Sequence, residues 1–461
     1  MNPNYNILTE ETMKKKLFSV LLLALGISAN AAASDHVMAA TRPAPKRDVP
    51  AELSLSVEEA QNYAVETNRS LRNSSMAIQE AYAQRWQTIA QMLPQADLSW
   101  QLQTMLDTAG NVYKMPFQGT LIGLPNSTFS VSASIGINGQ AVVGALLNNM
   151  AIDMQKLAYE QNELDLRANV VSSYASVLVM RDIVTLLDSS LSNVERLAEM
   201  TQRSVDVGAA EQTTADQIKV RVNALKNSIN SNKRNVVLAE NSLKVLLDVP
   251  VETQLTLTTT LEDMLSAEQV LALLGEDFVL ENNVSYRQLE KNVELAKKNV
   301  HMAAWAYGPT VGVGYQFSKK GNIPPQDGFQ FNMQPPHVVA LSVSMPLWSS
   351  GKRAAGVTEK KIALEKARNT LAETTDQLGI QNQQLRFNLQ NAYETYLNEK
   401  ENIDVTQRVF RSTTNKYQYG ATSNLELVNA SNDVISAQST YVQAVLTLVN
   451  AELELSKFLN K

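Results

Sequence analysis

Residues 352–417 run from Lys352-Arg353-Ala354-Ala355 to Thr414-Asn415-Lys416-Tyr417 without a proline, and their only glycines are Gly356 and Gly379. An interior proline costs a helix about 3 kcal/mol and a glycine about 1 kcal/mol, so the stretch reads as one very long helix. Within it apolar residues return every seven positions, at Val357, Leu364, Leu371, Leu378 and Leu385. A step of four leads to Leu389, and the series resumes at Tyr396, Ile403, Phe410 and Tyr417. A sustained heptad marks coiled-coil packing, and the four-residue step is a stutter that changes the supercoil locally.

The same pattern occurs earlier in the chain. No proline falls between Pro125 and Pro250, and a heptad runs through Val143, Met150, Leu157, Leu164, Val171 and Leu178. Gly208 and Gly420 stand alone at the ends of the two long helices, as the left-handed residue that ends a helix does. Returning helices follow, with series at Val222, Ile229, Val236 and Leu243 and at Leu427, Val434, Tyr441, Leu448 and Leu455. Val357 lies 214 positions after Val143, Gly420 lies 212 after Gly208, and Pro309 lies 215 after Pro94. The chain is therefore two copies of one unit of about 200 residues, far longer than a solenoid repeat.

Each half also carries two stretches of period-two alternation. Leu98-Ser99-Trp100-Gln101-Leu102-Gln103 and Phe129-Ser130-Val131-Ser132-Ala133-Ser134-Ile135 lie in the first. Val311-Gly312-Val313-Gly314-Tyr315-Gln316-Phe317-Ser318 and Val339-Ala340-Leu341-Ser342-Val343-Ser344-Met345 lie in the second. A half-buried sheet of a soluble protein alternates in the same way. Three features favour a membrane strand facing lipid on one side and a wet lumen on the other. The polar face is nearly uncharged, the loops 107–126 and 319–336 are long and rich in Gly and Pro, and the chain opens with an export signal. Trp305, Tyr307 and Trp348 stand at the helix-proximal strand ends, where an interfacial aromatic girdle would sit. Four strands cannot close a barrel in lipid, so a membrane reading demands several chains.

The export signal comprises Lys14-Lys15-Lys16, an apolar run from Leu17 to Ile27, and a small-residue cleavage site at Ala29-Asn30-Ala31 or Ala31-Ala32-Ala33, with Met13 the expected start. Its removal takes Lys14, Lys15 and Lys16 together with Glu10 and Glu11, moving the net charge from −6 to −7. The remaining expected organisation is a linker over 34–52, a first repeat over 53–249 with strands 96–106 and 127–137, a connecting segment over 250–276, and a second repeat over 277–461 with strands 308–318 and 337–348. Helices are expected over 54–92, 140–207, 211–247, 277–305, 352–417 and 424–459. The two longest would each span about 100 Å, and the short and returning helices of each half together approach one long helix in length. The fold class that follows is mainly α with a membrane β-barrel, a tube of coiled coils hung from the strands.

Composition closes off other functions. With no cysteine among 461 residues, no disulfide, thiol nucleophile, Cys-ligated zinc or lipidated N-terminal cysteine is possible. Balanced charge, with 40 basic against 46 acidic residues, and only 6% aromatics argue against nucleic-acid binding. His36, His301 and His337 have no metal-ligand spacing, and there is no phosphate loop or nucleophile elbow. No enzyme activity, cofactor or metal is expected.

The duplicated helix, strand, strand, long-helix unit resembles the TolC-type outer membrane efflux proteins. So do the strand exit Met345-Pro346-Leu347-Trp348-Ser349-Ser350-Gly351 and the turn Tyr417-Gln418-Tyr419-Gly420-Ala421-Thr422-Ser423-Asn424-Leu425-Glu426-Leu427. The resemblance covers about residues 53–461. It implies a homotrimer in the outer membrane of a Gram-negative bacterium, with four strands per chain completing a trimeric 12-stranded barrel above a long periplasmic α-helical tunnel. It also implies export of small molecules or polypeptides delivered by an inner-membrane pump of RND, ABC or MFS type through a periplasmic adaptor protein. Carried over by position, Tyr417 would sit at the periplasmic tip, Gly420 at its turn, and Glu426 and Asn429 where the family often has acidic gate residues. Asn429 is uncharged here, and Thr422 stands where a basic residue can serve. In the first half Gly208 marks the equivalent turn, with Glu211 and Asp216 nearby.

Alternatives stand beside these roles. Three copies of Glu426 would form a cation-attracting ring, or Glu426 simply favours a helix N-terminus. Tyr417 is a gate residue or the next member of the heptad after Phe410. The rival for the whole chain is a secreted trimeric coiled-coil stalk or adhesin.

Overall fold

A computed structural model describes residues 51–104, 115–117, 120–122, 126–208, 210–322, 330–331 and 337–460. The export signal, His36, most of the 34–52 linker and most of the loops 107–126 and 319–336 lie outside the described residues. The chain divides into two compact units.

The first unit, formed by residues 76–155 and 290–369 among those described, holds the sheet. Its strands are β2 (Gln95–Gln103), β5 (Asn126–Asn138), β7 (Thr310–Asn322) and β9 (His337–Ser344), antiparallel in the order β2-β5-β7-β9. The central pairing, β5 with β7, joins the two halves of the duplication along 13 residues of each strand, from Asn126↔Asn322 to Asn138↔Thr310. A two-residue strand β8 (Gln330–Phe331) extends the β9 side of β7, and β3 (Met115–Phe117) pairs with β4 (Thr120–Ile122) as a separate hairpin. Register places Ile137, Val311 and Val343 side by side, with Ile135, Val313 and Leu341 next to them. The opposite face carries Asp97, Ser132 and Gln316 in one row, and the Ser99 and Ser130 hydroxyls lie 2.7 Å apart. The strand expected over 337–348 ends at Ser344, because Pro346 has no N–H for the ladder and holds Met345 extended. The strand expected over 308–318 begins at Thr310 and continues to Asn322, as its pairing with β5 continues.

The second unit, residues 51–75, 156–289 and 370–460 among those described, holds most of the helical length. The helices are α1 (Val57–Thr67), α2 (Arg69–Ala90), α3 (Gly139–Asp206), α4 (Gln212–Leu246), α5 (Leu261–Met264), α6 (Ala267–Gly275), α7 (Val284–Ala304), α8 (Lys352–Gln418) and α9 (Asn424–Phe458). The heptads supply the core: Leu389, Leu243, Leu448 and Leu455 are fully buried, with Val222, Ile229, Tyr396, Ile403, Phe410, Leu427 and Val434 also buried. Side-chain ion pairs Arg181–Glu240 and Lys226–Glu195 lie at 2.6 and 2.8 Å between α3 and α4.

The helix expected over 54–92 is two helices. Asn68 ends α1 and caps α2, its Oδ1 accepting from the Ser70 and Leu71 amides at 2.8 and 3.1 Å. The helix expected over 277–305 likewise starts only at Val284, after a 3-10 turn over Leu280–Asn282, with Asn283 accepting from the Tyr286 amide. The segment 250–276 is structured: β6 (Gln254–Leu257) lies parallel to β1 (Glu52–Leu55). The buried Tyr174 hydroxyl of α3 ties the pair, donating to the Leu55 carbonyl and accepting from the Thr259 amide, both at 3.0 Å.

Candidate functional site

Two helix turns carry the expected gate residues. Both Gly208 and Gly420 adopt positive φ, 76° and 68°, which a side chain would resist. At the second turn the Ala421 amide donates to the Lys416 carbonyl at 2.8 Å and the Gly420 amide to the Tyr417 carbonyl at 3.0 Å, the paired bonds that close a helix end with a left-handed residue. Ser423 then caps α9, its hydroxyl accepting from the Glu426 amide at 3.3 Å, while the Thr422 hydroxyl donates to the Glu426 carboxylate. Glu426 and Asn429 are exposed, three residues apart on one helix face.

The first turn differs in its cap. Glu211 occupies the cap position of α4 without a side-chain bond to the helix amides, and its carboxylate accepts instead from the Thr213 hydroxyl at 3.1 Å. Gln212 donates to Asp216 at 3.0 Å. Asp216, like Glu211, is exposed. The Ser423 cap was open to sequence reading, since Ser423-Asn424-Leu425-Glu426 has the spacing of a capping box.

Tyr417 is half-buried and packs against a core shared by all four helices near the turns, built from Leu197 of α3, Ile218 of α4, Phe410 of α8 and Leu427 of α9. Three polar atoms buried without a hydrogen-bond partner, Thr201 Oγ1, Arg221 Nε and Gln438 Oε1, belong to these same helices. Burial lowers the pKa of the Arg221 guanidinium. Sequence reading passed over Arg221 because one arginine on a polar helix gives no sign of its depth.

At the sheet, the Trp305 indole lies against Gly139 at the start of α3, so closely that a Cβ on Gly139 would overlap the ring. Tyr307 lies under the Arg353 guanidinium, 4.8 Å from its ring centroid, and Arg353 also donates to Ser349 Oγ at 2.9 Å. Trp348 is 86% exposed. The apolar sheet face is open as well, with Val339, Leu341 and Val343 each at least 66% exposed. Neither β2 nor β9 is paired along its outer edge among the described residues.

A profile of outer membrane efflux proteins matches residues 61–248 and 277–461, one match for each half of the duplication. The chain belongs to the outer membrane efflux protein family. It is similar to the probable efflux pump outer membrane protein TtgC of Pseudomonas putida KT2440, with 23% identity over 361 residues covering 76% of this chain and 73% of TtgC. It is also similar to the cation efflux system protein CusC of Escherichia coli O157:H7, with 21% identity over 396 residues covering 82% and 80%. The solved structure of CusC superposes with a TM-score of 0.69 at 16% identity, covering 91% of this chain and 98% of that one. VceC of Vibrio cholerae gives 0.66 at 13% identity over 88% and 96%. Family and fold are those of outer-membrane efflux channels with a periplasmic helical tunnel, and not of enzymes.

Proposed function

We propose that three copies assemble edge to edge, β2 of one beside β9 of the next, into a twelve-stranded barrel through which small toxic compounds leave the cell. The observation that carries this is the four-stranded antiparallel sheet, open at both edges and bare on its apolar face. In lipid each unpaired edge group costs several kcal/mol, on the order expected for a buried unsatisfied peptide group, and closure removes that cost. A periplasmic adaptor and an inner-membrane pump of RND, ABC or MFS type would deliver the cargo. The names of relatives support this, among them an antibiotic efflux pump protein and a toluene efflux pump protein of Pseudomonas putida.

In this reading the turns at Gly208 and Gly420 form the periplasmic tip. Glu426, with Asn429, Glu211 and Asp216, would set the charge of the opening, and Tyr417 would brace the helices behind it. Trp305, Tyr307 and Trp348 would sit at the periplasmic lipid interface. The test is planar-bilayer recording of the purified protein. Cation-preferring conductance that weakens in Glu426→Lys supports the tip assignment, and unchanged selectivity removes Glu426 from the pore. A protein that never conducts would favour a structural stalk.

A further inference from the structure

Both α4 and α8 present a second apolar row, on the side of the helix away from the buried heptad. On α8 the row is Ile380, Phe387, Val405 and Val409, all exposed. At about 100° per residue these four fall within about 40° of one another, and about 150° around the helix from the buried Leu389, Tyr396, Ile403 and Phe410. On α4, Val220, Leu238 and Val245 are each at least 63% exposed and share one face in the same way, opposite the buried Val222, Leu225, Ile229 and Leu243. A helix apolar on two sides is built to pack on both.

The two rows also match in height. Leu197 and Ile218 pack with Phe410 in one core, and all three lie 10 or 11 residues from a turn glycine, so the turns at Gly208 and Gly420 stand at about one level. At about 1.5 Å per residue, Val220 is about 18 Å from its turn, and Val409 and Val405 are about 16 and 22 Å from theirs. Farther from the turns, Leu238 and Val245 at about 45 and 56 Å fall beside the levels of Phe387 and Ile380 at about 50 and 60 Å. Between these apolar ends both faces are polar, with Asn227 and Ser231 on α4 and Asn398 on α8. Arg234 stands 26 residues after Gly208 and Glu394 stands 26 before Gly420, each exposed and within about 40° of its row. Neither has an ion-pair partner in its own chain among the described residues; Glu394 accepts from the Gln390 amide one turn away at 3.0 Å.

We propose that α4 of one copy and α8 of the next form the helical seam between copies, with Arg234 of one paired to Glu394 of the other to set its register. This rests on the edge-to-edge assembly of the sheets proposed above. By chain connection α8 belongs to the β9 edge, which it follows. By the same rule α4 belongs to the β2 edge: its Leu246 carbonyl accepts from Asn68 Nδ2 at 2.9 Å where α2 begins, and α2 leads into β2. Placing β2 beside β9 of the next copy therefore sets α4 beside α8. The apolar ends supply the adhesion, and the polar middle supplies the register, as a polar position in a coiled-coil seam does. A slip of α4 by one heptad, about 10 Å away from the turns, would set Arg234 against Phe387 and leave its charge unpaired.

The test combines charge exchange with introduced thiols in the full chain, whose lack of cysteine leaves no background. Arg234→Glu and Glu394→Arg should each lower the yield of three-chain assembly at least about five-fold, and the two together should restore it to within about two-fold of the unaltered protein. A double variant no better than the singles overturns the pairing. With Arg234→Cys and Glu394→Cys in one chain, the apolar ends still hold the seam, and a short bifunctional thiol reagent should give bands of two and three linked chains. Val220→Cys with Glu394→Cys, about 21 Å apart in height, should give none. A native mass of three chains with no links between them, or links only within single chains, overturns the seam and leaves the shared barrel standing. A native mass of one chain removes the barrel and the seam together.

Discussion

Asn68 and Asn283 do the same work in the two halves of the chain. Each ends one element and caps the next helix with its Oδ1, and each donates its Nδ2 to a carbonyl at the end of the returning helix of its own half, Leu246 at 2.9 Å and Phe458 at 3.0 Å. They lie 215 positions apart, the offset that separates Pro94 from Pro309. Both are buried. Asp at either site keeps the cap acceptor and loses the donor, leaving a buried carbonyl unpaired beside a negative charge. Chemical denaturation should register a loss of about 1–3 kcal/mol in Asn68→Asp or Asn283→Asp. A neutral result would show that the carbonyls find other partners.

Gly420 has open space around its α-carbon, so the cost of a side chain there is purely conformational. Gly420→Ala should destabilise by about 1 kcal/mol. Gly420→Pro forbids the positive φ and deletes the amide bonded to the Tyr417 carbonyl, and should cost about 3 kcal/mol or more. Thermal unfolding of the purified protein separates the two, and equal midpoints would contradict the geometry of the turn.

Val343 and Gln316 lie in the same sheet on opposite faces. Lysine at Val343 would face lipid near the interfacial end of its strand, at a cost of about 1 kcal/mol in every chain of the assembly, whereas lysine at Gln316 would face the lumen. Membrane fractionation should show a marked fall in assembled Val343→Lys and near-normal Gln316→Lys. The reverse pattern would turn the sheet inside out.

Tyr174 is wholly buried, and its hydroxyl bridges β1 to the residues after β6. Tyr174→Phe keeps the ring and strips both hydrogen bonds, for an expected loss of about 1–3 kcal/mol. Exchange of the Thr259 amide should quicken accordingly. Unchanged stability would mean the two strands hold without the bridge.

The long helices were legible because their signals are local and repeated: a residue every seven positions, no proline, and a glycine at each turn. The strand faces were legible for the same reason, since alternation fixes which side chains share a face. The break at Asn68 was not, because no glycine or proline marks it and its stability depends on the Leu246 carbonyl, 178 residues away. Arg353 over Tyr307 and the indole of Trp305 against Gly139 were equally hidden. Each depends on bringing distant parts of the sequence together: the pairing of β5 with β7 brings Trp305 to Gly139, the pairing of β7 with β9 brings Tyr307 to Arg353, and neither pairing is written in one strand alone.

The central claim is that each chain supplies a third of a shared barrel. Its most direct measure is the native mass of the protein extracted from outer membranes in detergent, corrected for bound detergent. The account predicts a mass of three chains, recovered only from the membrane fraction. A water-soluble single chain would contradict it, because the bare apolar face and both open strand edges would then have to be covered from within one molecule.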